Sequence, residues 1–383
     1  MAGLTRRATA TPPFRAMAIL ARARELEAQG RDIVHMELGE PDFPTPRHII
    51  EAGFRAAQEG YTTYTPAEGL LELREALSRY YRREYGINIG SERFIITMGS
   101  SPGLWLLFAA ILDPGDAVLM SNPHYACYPN DVRFVGGEPV TFPVFADDGF
   151  QVDPKRAREA ITKRTKILLI NSPANPTGAV TGAERMREIA GLPVEHIISD
   201  EIYHRLTYGV KAHSMLEYRD DAIVISGFSK LYAMTGWRLG WIIVPPAMVE
   251  PLRRLHQNLF LCASAFVQKA GVAALEGPQD EIEKMIATYA ERRMYILSAL
   301  RELGLKIPVE PQGAFYILAD ARQWDANSER LSQRLLEEAG VAVTPGIDFG
   351  DNAEGFLRFC YAASLERMKE GVGRMRGWIP KHA

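Results

Sequence analysis

The residue whose surroundings most clearly predict chemistry in this 383-residue chain is Lys230. It follows the apolar run 222–226 and the tripeptide Gly227-Phe228-Ser229, and Arg238 lies eight positions further on. A desolvated lysine amine has a lowered pKa and can form a Schiff base with a carbonyl compound. An arginine can donate two parallel hydrogen bonds to a phosphate. The spacing favours a lysine that binds a carbonyl cofactor, and the alternative is an ordinary solvated lysine.

A second pattern, Gly99-Ser100-Ser101-Pro102-Gly103, precedes the helical run 104–112. Small residues that open a helix leave backbone N–H groups free at the positive end of the helix dipole, which suits a phosphate. The same residues are also good helix starters in general, so this pattern alone leaves both interpretations open.

Two further polar motifs follow apolar runs directly. Asn175 lies in Asn-Ser-Pro-Ala-Asn-Pro-Thr-Gly after the run 167–170, where two prolines rigidify the turn that presents it. Asp200 follows the run 196–199 and is itself followed by Glu-Ile-Tyr203. A carboxylate in a crevice requires a cation or hydrogen-bond donors. The alternatives are that Asn175 only forms a turn and that Asp200 only caps the N-terminus of a helix.

Arg358 lies inside the apolar, strand-like stretch 355–361. An arginine in such a stretch is expected to be paired or to bind an anion. A structural salt bridge is therefore the alternative to a role in binding substrate.

The elements that carry these residues alternate between helical stretches and short apolar runs. The runs lack strict alternation and are 93–98, 117–121, 166–171, 196–199, 222–226 and 241–244. Such runs are typical of strands that are buried on both faces of a mainly parallel sheet. The sequence therefore predicts an α/β fold, in which ligands bind beyond the carboxyl ends of the strands.

The pattern changes near residue 279, after which a long helix at 280–303 precedes shorter strand and helix patterns. We predict an N-terminal arm (1–45) that contributes to a small domain, a large cofactor-binding domain (46–279) and a small C-terminal α+β domain (280–383). The arginine-rich, acid-poor N-terminus is also typical of organelle transit peptides. A helix predicted at 15–29 favours the interpretation as a mature arm.

Composition argues against several classes of function. The net charge of −3 favours neither nucleic acid nor membrane, and no apolar run approaches the roughly 20 residues that span a bilayer. The three cysteines lack metal-ligand spacing, which argues against a metal site and for a reducing compartment such as the cytoplasm. A transcriptional regulator would require an added basic DNA-binding segment, for which the short arm leaves no room.

Taken in order, the motifs resemble those of the class I/II aminotransferases, which are pyridoxal 5'-phosphate enzymes of fold type I. The resemblance runs over nearly the whole chain, from 38–43 to Arg358. The other stretches that carry it are 64–69, 73–74, 99–101, 123–125, 171–178, 200–203, 227–240 and 311–316. Each motif is moderately specific by itself, and their common order is what predicts the family.

The resemblance implies a role for each residue around the cofactor. Lys230 holds the cofactor as a Schiff base and then moves the proton of the substrate α-carbon by way of a quinonoid intermediate. Asp200 pairs with the pyridine nitrogen and keeps it protonated. Tyr203 and Asn175 donate to the phenolic oxygen. Tyr125 stacks on the face of the ring.

The resemblance also implies which residues bind the phosphate of the cofactor. Arg238, Ser100 and Ser101 resemble the residues that hold it. Tyr64 resembles a residue that reaches the phosphate from a neighbouring subunit, which implies a homodimer.

By the same resemblance, Arg358 binds the α-carboxylate of the substrate with help from Asn175 and the backbone of Gly39. The small domain that carries Arg358 is expected to close over the substrate. Fixing the carboxylate selects which bond of the α-carbon breaks.

The predicted activity is transfer of an amino group from an L-amino acid to a 2-oxo acid. Some aspartate-specific members of the family carry a lysine where this chain has Ser101, so we predict a neutral aliphatic or aromatic donor. The alternative on the same fold is a carbon–sulfur β-lyase or a related synthase, because the same lysine, aspartate and arginine would serve it. A catalytically inactive binding protein is disfavoured by the presence of every cofactor-contacting residue type.

Overall fold

A seven-stranded sheet lies at the centre of the structure, a computed structural model that describes residues 3–379. The strands of the chain are β1 Val34–His35, β2 Phe94–Thr97, β3 Ala117–Asn122, β4 Glu138–Pro143, β5 Thr165–Asn171, β6 His196–Asp200, β7 Ile223–Gly227, β8 Gly240–Ile243, β9 Tyr316–Asp320, β10 Val341–Ala342, β11 Thr344–Pro345 and β12 Phe356–Cys360. The order in the large sheet is β2-β8-β7-β6-β5-β3-β4. Only β8 runs antiparallel to its neighbours in this sheet. The predicted α/β fold with a mainly parallel sheet is confirmed.

Helices connect and cover these strands. The α-helices are α1 Arg6–Ala10, α2 Arg15–Ala28, α3 Arg47–Gln58, α4 Leu71–Tyr85, α5 Ser100–Ile111, α6 Tyr128–Val135, α7 Pro154–Ala160, α8 Ala183–Ala190, α9 Pro246–Leu259, α10 Ala265–Glu276, α11 Asp280–Glu302, α12 Ser328–Arg334 and α13 Leu365–Trp378. Short 3₁₀ turns lie at Ser91–Arg93, Ala146–Asp148, Met215–Glu217, Thr235–Trp237, Gly346–Phe349 and Asp351–Ala353, and a π-helical turn at Leu335–Ala339 continues α12.

The large sheet is buried on both of its faces, which explains why its strands read as continuous apolar runs. Along β7, Val224 packs in the hydrophobic cluster on one face, while Ile223 and Ile225 pack in the cluster on the other. In β5, Leu168 and Leu169 are divided between the two clusters in the same way. Side chains on a strand point alternately to opposite faces, so a strand with a core on each side has no polar positions to alternate.

Strand β4 was not predicted from the sequence because it lies at the edge of the sheet. Its side chains are mostly exposed or half-buried, and it contains Pro139 and Pro143. Proline donates no hydrogen bond to a neighbouring strand and is therefore confined to edges. An edge strand of this composition lacks the apolar run that marks the other strands.

The smaller sheets involve both ends of the chain. Strands β11, β12 and β9 form an antiparallel sheet, and β1 pairs in parallel with β10. The N-terminal segment thus pairs with the C-terminal part through β1 and β10. The domain boundaries themselves stay a prediction, and residues 1–2 and 380–383 of the two terminal segments lie outside the described residues.

Within residues 3–379, no helix is both long enough and apolar enough to cross a membrane. The same part of the chain contains no group of three or more His, Cys, Asp and Glu side chains arranged to hold a metal ion.

Candidate active site

The polar motifs meet at one edge of the large sheet. Asn171 ends β5, Asp200 ends β6 and Gly227 ends β7, so that Asn171 and Asp200 are register partners. The carboxyl ends of parallel strands share an edge, and ligands bind in the crevice beyond it. Ten of the eleven predicted site residues line one cavity here: Gly39, Ser100, Ser101, Tyr125, Asn175, Asp200, Tyr203, Lys230, Arg238 and Arg358.

Tyr64 is the predicted site residue that does not line this cavity. It lies between α3 and α4, and its side chain is 80% exposed. Its contribution to the site of a second subunit stays a prediction.

Lys230 projects into the cavity from the turn that follows β7. Its Nζ donates a hydrogen bond of 2.7 Å to the carbonyl oxygen of Gly39. Burial lowers the pKa of Lys230 to about 8, and the cations of Arg358 and Arg238 act in the same direction. A lysine with such a pKa is partly neutral near physiological pH. Its amine can therefore serve as a nucleophile or as a base.

Asp200 lies at the bottom of the cavity and is buried. The hydroxyl of Tyr128 donates to Oδ2 at 2.6 Å, and the backbone N–H of Ile202 donates to Oδ1 at 3.2 Å. Burial raises the pKa of Asp200 to about 6, against the effect of these two hydrogen bonds. The side chain is therefore an oriented carboxylate at neutral pH, suited to holding a protonated nitrogen.

The N-terminus of α5 and the turn before β8 form an anion-binding corner. Gly99 precedes the helix with a φ of 101°, and a Cβ at this position would lie 2.6 Å from Nη2 of Arg238. Ser100, Ser101 and Ser229 line the same part of the cavity. Free N–H groups at a helix start, hydroxyl groups and a guanidinium together suit a phosphate.

Arg358 is buried on β12 and lines the same cavity as the anion-binding corner. Its guanidinium donates to Oδ1 of Asn175 at 2.9 Å, to the carbonyl oxygen of Glu37 and to the hydroxyl of Thr344 at 3.1 Å. All three acceptors are uncharged, and Nε of Arg358 is buried without a hydrogen-bond partner among the described residues. A buried cation held in this way is prepared to bind a carboxylate.

Asn175 and Tyr203 line the same cavity and contact the surroundings of Arg358. Asn175 uses its Oδ1 as an acceptor for Arg358, which leaves its Nδ2 to donate towards the cavity. The Tyr203 hydroxyl lies 2.9 Å from the hydroxyl of Tyr316. Both residues can therefore donate to an oxygen atom bound in the centre of the cavity.

Several lining residues escaped sequence reasoning. Phe14 comes from the N-terminal segment, and Tyr128 and Tyr316 come from α6 and β9. Tyr316 lies within the stretch 311–316 that carries the resemblance, and Tyr128 lies three residues after Tyr125, so both positions carried a signal. Phe14 follows two prolines and lies far in sequence from Gly39, the predicted site residue of the arm, and nothing in its local pattern marks it.

The cavity fits pyridoxal 5'-phosphate. It offers an amine for the aldehyde, a carboxylate for the ring nitrogen, an aromatic face in Tyr125 and the phosphate corner. The close approach of the Gly99 backbone to Arg238 and the unpartnered Nε of Arg358 leave places for two separate anions, the cofactor phosphate and a substrate carboxylate.

Comparison with known proteins gives the same assignment. The family described as aminotransferase class I and II matches residues 31–375. The aspartate/prephenate aminotransferase of Thermus thermophilus is 42% identical over 381 residues, which cover 98% of each chain. The (5-formylfuran-3-yl)methyl phosphate transaminase of Methanocaldococcus jannaschii is 41% identical over 372 residues, or 96% of this chain and 97% of the relative.

The solved structures agree with the sequence relatives. Thermus thermophilus aspartate aminotransferase with maleate matches this chain with a TM-score of 0.94 at 41% identity, covering 98% of this chain and 100% of that one. The chain therefore belongs to the class I and II aminotransferases, and it is a pyridoxal 5'-phosphate-dependent aminotransferase of fold type I.

Proposed function

We propose that this aminotransferase takes the amino group of a neutral aliphatic or aromatic L-amino acid and passes it to a 2-oxo acid. The observation that carries this proposal is the set of charged residues in the cavity. Among the described residues that line it, these are Asp200, Lys230, Arg238 and Arg358. Each of the four is assigned to the cofactor or to the substrate α-carboxylate, so none is left for a second carboxylate on the donor.

Apolar side chains also line the cavity and favour an apolar substrate side chain. Phe14, Leu38 and Leu104 contribute to it. The ring of Phe14 meets that of Tyr125 edge-on, with centroids 6.3 Å apart. Burying an apolar side chain against such a wall is favourable in proportion to the area removed from water.

The segment that carries Phe14 also contains a cation, Arg15, which is held away from the substrate position. Its guanidinium forms ion pairs with Glu329 at 3.3 Å and with Asp348 at 3.8 Å. The backbone N–H groups of Arg15 and Ala16 donate to the same Asp348 carboxylate. Because two carboxylates already neutralise Arg15, it is a poor partner for a third.

Most of the relatives are named for aspartate, alone or with prephenate, but they are not uniform. The relative that is 41% identical to this chain over 372 residues is named for a furan phosphate. Substrate choice therefore varies at this level of identity, and the residues of the wall are the better guide.

The chemistry that the cofactor supplies when bound is an aldehyde that takes up the amino group and a ring that accepts electron density from the α-carbon. Lys230 holds the aldehyde and then, as a free amine, moves a proton from the α-carbon through its Nζ. Asp200, oriented by Tyr128, keeps the ring nitrogen protonated. Tyr203 and Asn175 donate to the phenolic oxygen.

The two anionic groups anchor cofactor and substrate at opposite ends. Arg238, Ser100 and Ser101 hold the phosphate. Arg358 holds the α-carboxylate beside Gly39, so that the hydrogen on the α-carbon, and not the carboxylate, faces Lys230. This orientation favours amino transfer over decarboxylation.

We also propose a cytoplasmic homodimer, with the arm and domain boundaries predicted above. The side chains of Tyr61, Tyr64, Leu71 and Leu261 are exposed. The backbone N–H of Thr65 donates to Sγ of Cys262 at 3.4 Å, which brings the segments of Tyr64 and Leu261 together. An aromatic and aliphatic surface of this kind suits burial against a second copy of the chain. The three cysteines are free thiols, as a reducing compartment favours.

The donor preference can be tested by adding single amino acids to the cofactor-loaded enzyme without acceptor and recording the cofactor spectrum. We expect leucine or phenylalanine to convert the cofactor with a kcat/KM at least about tenfold above that of aspartate, the size of a modest pocket effect. Phe14→Ala should lower this value for the neutral donors and leave that for aspartate unchanged. Aspartate as the best donor would contradict the proposal, and release of pyruvate, ammonia and a thiol from a sulfur amino acid would support the β-lyase.

The pH dependence of cofactor uptake tests the state of Lys230. When apo-enzyme is mixed with pyridoxal 5'-phosphate, the rate of covalent uptake should rise with pH through about 8 and then level off. The reason is that burial lowers the pKa of Lys230, and only the neutral amine attacks an aldehyde. Stopped-flow absorbance across a pH series measures this rate, with Nα-acetyl-lysine as the control. A rate that keeps rising to the pKa of a free lysine, about 10.4, would show that Lys230 is solvated.

A further inference from the structure

Tyr316, the first residue of β9, lies where three groups of the site meet. Its side chain is buried, and its hydroxyl is 2.9 Å from the hydroxyl of Tyr203. The guanidinium of Arg358 lies over its ring, 4.4 Å from the centroid. The ring therefore contacts the group that holds the substrate carboxylate, while the hydroxyl contacts a donor to the cofactor.

The third contact of Tyr316 is with Gly39. A Cβ on Gly39 would lie 1.8 Å from the Tyr316 hydroxyl oxygen, so this hydroxyl fills the space that any other residue at position 39 would occupy. Gly39 in turn accepts the hydrogen bond from Lys230. The position of the Tyr316 hydroxyl is thus defined from two sides, by Tyr203 and by the backbone of Gly39.

Either hydroxyl of the pair could donate to the other, and Tyr203 has a single proton. Tyr203 can donate to the phenolic oxygen of the cofactor, its proposed role, only if it accepts from Tyr316. Tyr316 is therefore the donor in the proposed arrangement. The proton of Tyr203 is then free to point into the cavity, and a hydroxyl that accepts one hydrogen bond donates a stronger one.

We propose that Tyr316 is a positioning residue with two separable contributions: its ring holds the Arg358 guanidinium in place for the substrate carboxylate, and its hydroxyl directs the Tyr203 proton towards the phenolic oxygen of the cofactor. This inference rests on the proposed roles of Arg358 and Tyr203. It adds a residue that links recognition of the substrate to tuning of the cofactor.

Two substitutions separate the contributions. Tyr316→Phe keeps the ring and removes the hydroxyl, and Tyr316→Leu removes both. Tyr361→Phe is the matched control, because it deletes a buried tyrosine hydroxyl that donates to a backbone carbonyl at 3.1 Å, outside the lining of the cavity.

The first measurement is the pH midpoint of the visible absorbance change of the cofactor-loaded variants without substrate. A weaker donor to the phenolic oxygen stabilises its anion less, so this midpoint should move to higher pH in both Tyr316 variants and stay unchanged in Tyr361→Phe. The titratable or charged groups around the pair are Tyr125, Tyr128, Asp200, Lys230, Arg358 and Cys360. All of them are retained in every variant, so a shift reports the lost hydroxyl.

The second measurement is binding and turnover. In Tyr316→Phe we expect kcat to fall roughly three- to tenfold, the size of one neutral hydrogen bond, with KM for the amino acid within about twofold. In Tyr316→Leu we expect the KM, and the Kd of the unreactive carboxylate 3-phenylpropanoate or 4-methylpentanoate, to rise about ten- to thirtyfold, because the cation–π contact is lost in a desolvated site.

Unchanged kcat and absorbance midpoint in Tyr316→Phe would overturn the role of the hydroxyl. A carboxylate Kd in Tyr316→Leu equal to that in Tyr316→Phe would overturn the role of the ring. Changes confined to thermal stability or cofactor content would overturn both. A failure of the proposed donor preference can be told apart from these outcomes. It would be seen in the wild-type enzyme alone, as a better rate with aspartate. The outcomes for Tyr316 compare each variant with the wild-type enzyme, using whichever amino acid the wild-type enzyme converts best.

Discussion

Replacement of Lys230 by alanine is expected to abolish turnover and to remove the covalent link between protein and cofactor. General acid–base catalysis alone contributes about 10²–10⁴-fold to such reactions, and the nucleophile that holds the aldehyde is lost as well. The cofactor should still bind, because Asp200 and the corner formed by Ser100 and Arg238 do not depend on the lysine. Steady-state turnover and peptide mass spectrometry after borohydride reduction measure the two losses.

Two control variants show whether the effect comes from loss of the neutral amine, from loss of the positive charge or from loss of a lysine at an arbitrary position. Lys230→Arg keeps a cation near Gly39 but has no neutral amine at working pH, so it should be as inactive as the alanine variant. Lys211→Ala removes an exposed lysine that does not line the cavity and should keep full activity. Substantial turnover in either Lys230 variant, or a borohydride adduct on another lysine, would contradict Lys230 as the essential amine.

Local pattern was enough to predict the family, the fold and the residues at the strand ends. Asn175, Asp200 and Lys230 each follow a buried apolar run, and the geometry of a parallel sheet brings the ends of such runs together. This inference requires no knowledge of side-chain packing. It therefore succeeds wherever the polar residue is adjacent in sequence to the strand that positions it.

The contacts that escaped prediction join segments that are distant in sequence. The pairing of Tyr128 with Asp200, the placement of Phe14 beside Tyr125 and the link from Tyr316 to Arg358 each depend on how separate elements pack. Strand β9, which carries Tyr316, begins only after Ala314, whose φ is 58° and whose N–H donates to the carbonyl oxygen of Leu206 outside the sheet. No periodicity in a single segment encodes such contacts.

The same reasoning explains why Tyr64 could be predicted only by resemblance. A residue that completes a site across a subunit interface has no partner within its own chain, and Tyr64 is largely exposed here. Its exposure agrees with the predicted role without testing it.

Replacement of Arg358 by methionine is expected to raise the KM for both the amino acid and the 2-oxo acid by roughly 30-fold to several thousand-fold. Removing one partner of a buried, hydrogen-bonded charge pair costs about 2–5 kcal/mol, and each 1.4 kcal/mol is about tenfold in affinity. The cofactor should bind almost normally, because other residues, Ser100, Ser101 and Arg238, form its phosphate corner. Initial rates with each substrate and titration of apo-enzyme with cofactor give the two quantities.

The thermal stability of the Arg358→Met variant shows whether a raised KM comes from lost carboxylate binding or from a general packing defect. The three hydrogen-bond acceptors of Arg358 are uncharged, and its ring neighbours Tyr316 and Phe349 suit an apolar side chain of similar length. Replacing a buried, uncompensated cation with an apolar residue is often neutral or stabilising, so the apo-enzyme should unfold at the same temperature or higher. Arg358→Lys keeps the charge but loses the planar fork, and its KM should also rise. A parallel loss of cofactor affinity would move Arg358 to the phosphate side of the site, and a KM near the wild-type value would remove it from carboxylate recognition.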